Sequence, residues 1–433
     1  MLTKLRIKNF KCLQDTGDLQ IRPLTLLVGP NSSGKSSLLQ ILLMLRQTVD
    51  STDIDNPLAT NNGWVQMGAY PEFIYKGEYD RELEINLELT ESMPRRIIHV
   101  NAVFCYNRKT TQIELKEREI SLDNSASERV VRQKGKKYSA VLSYLEKGEQ
   151  KEWRRDGIRP IKFYDFSLSP KRGEKQEDII KTLPPTTLFR IPAFIIEREF
   201  RGLFYLGPLR EFPKRFYVTS GQAPQDVGIR GERAVDVLWL SHWSTIKRLR
   251  KIEEEARNWF REFGIAADIR LDHVGRGNYY RVIITDPATG VETNLADIGF
   301  GASQTLPIII ESFYAPLDSV ILIEQPEIHL HPKAQSILGD LFIKAAKEGN
   351  RSFIIETHSE HILARVRRRI AEKRIRKEDI AIYYFEPTSD GTRIHEVTLN
   401  EQGQYESFPE GFFEEDVVEA FEHLKAIKAS GSE

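Results

Sequence analysis

The sequence predicts an α/β protein, a mixed sheet flanked by helices, interrupted by a β-rich lobe and a small helical subdomain. Three observations point there. The run Leu24 to Val28 is continuously apolar and ends at a glycine, and from Lys35 to about Thr48 the chain carries Leu38, Leu39, Leu42, Leu43 and Leu45 with neither Pro nor Gly. That is a buried strand, a loop and a helix buried on much of its surface. From residue 295 onward helical stretches alternate with the apolar runs VILIE (320–324), SFIIE (352–356) and IAIYYF (380–385), as in a sheet covered by helices. Between about 80 and 200 the pattern changes to short alternating segments such as LEINLEL, IIHVNAVFCY and QIELK, the signature of a β-rich insertion.

The remaining elements follow in order. Residues 2–9 alternate apolar and polar as a half-buried strand does, and the polar stretches 123–137 and 171–178 suit exposed loops. Residues 235–263 have helical character, with Trp239, Trp243, Trp259 and Phe260 as packing residues and no sustained heptad repeat. The expected division is an N-terminal lobe (1–80), the β-rich insertion (81–200), a helical linking segment (201–290), a C-terminal lobe (291–400) and a helical tail (401–433) whose last helix opens at Glu414, Glu415 and Asp416.

Composition narrows the class. A chain of 433 residues suits two or three lobes, and 40% hydrophobic with 29% charged residues is an ordinary globular balance. Lys plus Arg (62) against Asp plus Glu (63) leaves a net charge of −1, which by itself asks for neither a nucleic acid nor a membrane. The two cysteines, Cys12 and Cys105, cannot build a disulfide framework or a four-thiolate zinc site. The N-terminal stretch is charged at Lys4, Arg6, Lys8 and Lys11, and no apolar run approaches the roughly 18 residues of a membrane helix. A cytoplasmic location is expected.

Gly29-Pro30-Asn31-Ser32-Ser33-Gly34-Lys35-Ser36 fits G-x-x-x-x-G-K-[ST] and lies between the expected strand and helix. Glycines let the backbone wrap a phosphate, and successive amides at Gly29, Asn31, Ser32, Ser33 and Gly34 supply partial positive charge at a helix N-terminus that continues through Ser37. Lys35 is placed to reach β- and γ-phosphate oxygens and Ser36 to hold Mg²⁺ through its hydroxyl. A Gly-Ser turn that only caps a helix is the plain alternative, and both flanks weigh against it.

Three downstream features join this loop. The strand 320–324 ends in Glu324, followed by Gln325 and Glu327, so a carboxylate can orient a magnesium shell. Ahead of it a Gly-rich turn, with Gly299, Gly301, Ala302, Ser303 and Gln304, enters an apolar helix and can meet an anion with its N–H groups. After the strand 352–356 comes Thr357-His358-Ser359, which brings an imidazole to the same sheet edge, where it can sense a γ-phosphate.

This order resembles the ABC-type ATPases of the RecF, SMC and OLD-like group. The stretches GFGASQTLPIII, IEQPEIHLHPKAQ, ETHSEHIL and YLGPLREFPKRFY look like the bacterial AAA/OLD-like ATPases, relatives of the Septu ATPases, over roughly 1–75 and 200–400. The resemblance implies a P-loop NTPase of ABC-ATPase head type that uses ATP and Mg²⁺. It also implies a homodimer of two heads with ATP sandwiched between them, Gly301 and Ser303 acting in trans, and His358 as the switch histidine. The strand 320–324 would be the Walker B strand, with His331 in the loop after it. Bacterial antiphage defence or DNA maintenance beside a separate nuclease or effector is the implied setting. Two departures stand out. Gln325 sits where the group usually carries a glutamate, and an amide cannot take a proton from attacking water. Glu327 substitutes if the turn at Pro326 swings it inward; otherwise the site is a slow, ATP-gated clamp. For the magnesium-sensing glutamine, Gln47 and Gln66 are both weak candidates.

Other residues carry rival readings. His329, His331, His358 and His361 could together ligate zinc, although two loops of one nucleotide site explain both pairs, and His329 and His361 suit helix-end packing or capping. The basic run 365–377, with Arg365, Arg367, Arg368 and Arg369, reads either as a contact for DNA or RNA phosphates or as a solvated face balanced by Glu372, Glu378 and Asp379. Arg210 and Arg215 sit among Gly-Pro and Pro turns, where a buried salt bridge is the expected role for one of them. Asp53 and Asp55 lack the preceding strand a nuclease centre would need.

Overall fold

The computed structural model describes residues 1–407 other than 62, 93–94, 124, 135–136, 147, 169–186, 220 and 276–277. One six-stranded sheet runs Leu203–Leu206, Val320–Glu324, Ser352–Glu356, Leu24–Val28, Ile380–Thr388, Gly391–Glu396. Every neighbouring pair is parallel except the last, so the sheet is mixed. All five residues are buried in each of Val320–Glu324, Ser352–Glu356 and Leu24–Val28. Parallel strands covered on both faces have no solvent side to alternate toward, hence their unbroken apolar sequences.

The two faces hold different cores. Leu24, Leu26, Ile321, Ile323, Phe353 and Ile355 pack with residues of the helices Phe300–Tyr314, Pro332–Gly349 and Glu360–Ala371. Leu27, Leu322 and Ile354 pack with Leu38, Leu39 and Leu42 of the helix Lys35–Asp50. With side-chain period 2, Glu324 and Glu356 project to the same face as Leu322 and Ile354, the face that carries the loop before Lys35.

A second, antiparallel sheet winds as a meander from Asp165–Leu168 through Glu149–Ile161, Tyr138–Glu146, Ala126–Arg132, Gln112–Leu122, Arg95–Asn107 and Leu83–Ser92 to Leu2–Phe10 and Leu13–Asp15. Its last long strand is the chain's first, paired in register Ile7↔Ile85. Leu5, Ile7 and Ile85 share a core cluster with Leu38 and Leu42, so the sheet rests on the helix Lys35–Asp50. The stretch read as a loop at 123–137 contains the strand Ala126–Arg132. Its polar composition hid it because the buried Glu128 pairs with the fully buried Arg118 of the neighbouring strand.

Residues 201–290 hold the helices Ala234–Trp243 and Lys247–Phe263 and most of a small sheet built on Asp268–His273 and Tyr279–Thr285. Trp259 and Phe260 are buried, whereas Trp243, expected in the core, is 63% exposed at the end of its helix. Among the described residues no helix is long and apolar enough to cross a membrane. The stretch 171–178 and the expected helix after Phe413 lie outside the described residues.

Candidate functional site: a phosphate loop backed by three buried carboxylates

The strand Leu24–Val28 delivers the chain to Gly29, and the helix Lys35–Asp50 starts directly behind Gly34. Two positions require glycine. Gly29 has φ 138° and a Cβ there would lie 2.5 Å from the Phe385 carbonyl oxygen, and Gly34 has φ 98° with its Cβ position 2.5 Å from Cys12 Sγ. Thr392 Oγ1 donates to the Ser33 carbonyl at 2.7 Å, which ties the loop to the strand Gly391–Glu396. Asn31 and Ser32 are exposed, while Ser33, Lys35 and Ser37 are buried. Ser33 Oγ is enclosed without a partner. Lys35 curls over its own loop, Nζ donating to the carbonyls of Gly29 at 3.0 Å and Pro30 at 2.7 Å. Burial lowers its pKa, opposed by Glu356 and Glu327. First-turn amides without intrahelical partners, an orphaned buried hydroxyl and a lysine whose hydrogen bonds go to the loop's own carbonyls are a donor set suited to a polyphosphate.

Behind the loop lie three carboxylates. Glu356 Oε2 accepts the Ser36 hydroxyl at 2.7 Å, and its Oε1 is 3.9 Å from Lys35 Nζ. Glu324, its register partner on the next strand, instead accepts the Tyr205 hydroxyl at 2.8 Å. Glu327 Oε1 accepts the His358 amide at 2.7 Å, and among the described residues its buried Oε2 has no hydrogen-bond partner. Burial pushes all three upward, Glu324 to about 7. The Ser36 hydroxyl with adjacent carboxylates is the hard-oxygen chemistry that fits Mg²⁺.

A cation sits beneath them. Arg210 is buried, donating to the carbonyls of Glu324 at 3.0 Å and Gln325 at 3.4 Å. Burial lowers its pKa to about 10, against the charges of Glu327 and Glu324. Gln325 has φ 44°, and its amide donates to the Glu356 carbonyl at 2.8 Å. That left-handed residue turns the chain so that Glu327, not Gln325, comes back onto the sheet edge. Arg215, by contrast, is exposed and pairs with Asp297 at 2.5 Å.

The second Gly-rich turn opens the helix Phe300–Tyr314. Gly299 and Phe300 are exposed and Gly301 is half-buried, whereas Ala302, Ser303 and Gln304 are buried. Ser303 Oγ donates to the Phe300 carbonyl at 3.0 Å. The Phe300 ring meets Phe212 at 5.5 Å and His329 at 5.6 Å, so the turn packs against the loop after the Walker B strand of its own chain. His331, rather than His329 or His361, is the helix cap, accepting from the Lys333 amide at 3.3 Å. His358 is exposed, and its pKa is lowered by partial burial and by Lys35. Among the described residues no three His, Cys, Asp or Glu side chains converge as a metal cage.

Gln47 is buried and braces the following loop, donating to the Ala59 carbonyl at 2.7 Å and accepting from the Val65 amide at 3.1 Å, while Gln66 is exposed. The basic helix is engaged with its own surroundings. Arg365 and Arg369 pair with Asp340 at 2.6 and 2.5 Å, Arg368 pairs with Glu372 at 2.7 Å, and Arg367 donates to the Gly403 carbonyl at 2.8 Å while lying 3.9 Å from the Tyr405 ring centroid.

The family described as "AAA domain, putative AbiEii toxin, Type IV TA system" matches residues 24–364, and "Protein of unknown function (DUF3696)" matches 375–422. An OLD nuclease of Thermus scotoductus is 50% identical over 42 residues, which is 10% of this chain and 8% of that nuclease. Among solved structures, the SMC head domain from Thermotoga maritima is 11% identical with a TM-score of 0.40, covering 92% of this chain and 99% of that one. An SMC head bound to the C-terminal domain of ScpA from Pyrococcus furiosus is 11% identical with a TM-score of 0.41 and 99% coverage of both chains. With the family match extending from the strand before Gly29 to the helix after His358, the chain belongs to this AAA family of P-loop ATPases.

Proposed function

We propose that the protein binds and hydrolyses ATP, that two copies close around Mg-ATP, and that it serves bacterial antiphage defence or DNA maintenance beside a separate nuclease or effector. The observation that carries the enzymatic part is the juxtaposition of Lys35, hydrogen-bonded to the Gly29 and Pro30 carbonyls and in the field of Glu327, with that buried Glu327, one of whose oxygens has no hydrogen-bond partner among the described residues. In this reading Lys35 leaves those carbonyls for the β- and γ-phosphate oxygens, and the amides of the loop and first helical turn take the rest of the charge. Magnesium, when bound, neutralises phosphate charge. Glu327 takes the role that Gln325 cannot: its free oxygen accepts the proton of the attacking water as oxygen bonds to the γ-phosphorus, the β–γ bridge breaks, and ADP and phosphate leave.

The dimer, with Gly301 and Ser303 of one copy facing the nucleotide of the other, rests on the family resemblance and on the exposed lip at Gly299 and Phe300. Because Ser303 is buried, that contact falls to the backbone at the lip unless closure moves the turn. A second reading, an ATP-gated scaffold with negligible turnover, is favoured by Gln325. Phosphate release by the full chain, compared with Lys35→Ala and Glu327→Gln, separates the two. Loss of release in both variants supports the enzyme, and equal release from all three proteins ends that claim.

A further inference from the structure

The sheet order places Ser352–Glu356 between the Walker B strand and the strand that feeds the phosphate loop. In register, Glu324 stands beside Glu356 and Glu356 beside Leu27, so Glu356 is one strand from the loop and Glu324 two. At about 4.8 Å per strand, this puts the backbone of Glu324 roughly 10 Å from that of the loop strand. Side-chain partners follow the same order. Glu324 turns toward Tyr205 on the far side, 2.8 Å away, and Glu356 turns toward Ser36, 2.7 Å away. Lys35 Nζ is 3.9 Å from Glu356 Oε1, and among the described residues no ion pair links it to Glu324.

A serine hydroxyl has one hydrogen and two lone pairs. Donating its hydrogen to Glu356 leaves both lone pairs of Ser36 available, fixes the direction in which they point, and places a negative charge directly behind them. A carboxylate so placed raises the affinity of the serine oxygen for a divalent cation without touching the cation itself.

We infer that Glu356, the residue just before Thr357-His358-Ser359, is the positioning carboxylate of the magnesium shell, orienting Ser36 and supplying the charge behind it, while Glu324 is the second carboxylate, held back by Tyr205. This rests on the ATP-binding reading above. It assigns a task to a strand-end glutamate that the Walker B pattern does not cover, in a chain whose Walker B strand continues into Gln325.

The test is the affinity of the full chain for a fluorescent ATP analogue, measured once in chelator and once in excess Mg²⁺. In Glu356→Gln an amide oxygen still accepts the Ser36 hydrogen bond and only the charge is lost. The expected result is that this variant retains affinity in chelator and loses about 10- to 100-fold of the tightening that Mg²⁺ gives the wild type, the range for removal of an outer-shell partner. Glu324→Gln should lose less of it, and Glu356→Asp, which keeps the charge, should retain part. Undiminished Mg²⁺ tightening in Glu356→Gln, or a larger loss in Glu324→Gln, overturns the assignment. Should Glu356→Gln fail to bind in chelator, Glu356→Asp decides: retained tightening supports the assignment, and complete loss in a variant that still binds without metal contradicts it. A wild type that binds no analogue under either condition fails the ATP reading itself, a different outcome.

Discussion

Glu327 accepts the backbone amide of His358 at 2.7 Å, so the carboxylate beyond the Gln325 turn and the imidazole beyond the next strand are fixed to one another. Movement at either end is therefore felt at the other. Glu327→Gln keeps an acceptor for that amide but removes the free carboxylate oxygen. Single-turnover phosphate release should fall by about 10²- to 10⁴-fold, the contribution of a positioned general base, with ATP affinity nearly retained. A parallel loss of affinity would show that the residue holds the loop rather than the water.

Gly34 stands at φ 98° against Cys12 Sγ. Gly34→Ala places a methyl group where a sulfur already lies and a side chain where the backbone is left-handed. A destabilisation of about 1 to 3 kcal/mol is expected, concentrated in the loop, and nucleotide titration should show weakened binding. Cys12→Ala in the same chain relieves the contact but not the backbone strain, so it should recover the loss only partly.

The buried Arg210 guanidinium lies close enough to Glu324 and Glu327 to oppose the upward pull of burial on both carboxyls, and it also bonds the carbonyls that shape the Gln325 turn. Arg210→Ala leaves those carboxylates and carbonyls buried without it. Denaturant unfolding should report a loss of about 1 to 3 kcal/mol, the cost of leaving buried carbonyls without their donor. Arg210→Lys should recover little, because the single ammonium nitrogen does not reproduce the two guanidinium nitrogens, Nη1 and Nη2, that reach the Gln325 and Glu324 carbonyls separately.

Glu311, inside the helix Phe300–Tyr314, is wholly enclosed; one oxygen accepts the Val227 amide at 2.9 Å and the other has no partner. Burial pushes its pKa from 4.5 to about 7. The folded state thus holds a proton that the unfolded chain releases, and this group's contribution to stability falls as pH climbs from about 4.5 to about 7. Glu311→Gln removes the dependence. Its melting temperature should rise relative to wild type as pH increases, by the equivalent of at most about 3 kcal/mol, and the two should converge below about pH 4.5. A constant offset across that range would contradict the assignment.

What was legible in the sequence was local. The loop from Gly29 to Ser36 could be read because the backbone tolerates only glycine at two of its positions, and the strands 320–324 and 352–356 because burial on both faces leaves them wholly apolar until a charged end. Glu356 reads from sequence only as the last letter of an apolar strand. Its contact with Ser36 depends on which strand lies beside Leu24–Val28, a relation between segments some 320 residues apart that no periodicity encodes. Gln47 failed as a magnesium sensor for a similar reason: both ends of its amide serve the loop at Ala59 and Val65. The basic run 365–377 reads from sequence as either a phosphate contact or a solvated face, and the choice turns on Asp340 and Glu372, which pair with three of its arginines.

The most direct check of the central claim is a calorimetric titration of the full chain with ATP in Mg²⁺, beside Lys35→Ala. Saturable binding by the wild type, weakened about 10- to 100-fold by loss of the lysine's charged hydrogen bonds, is the predicted result. No heat from the wild type, or equal binding by both proteins, would contradict it.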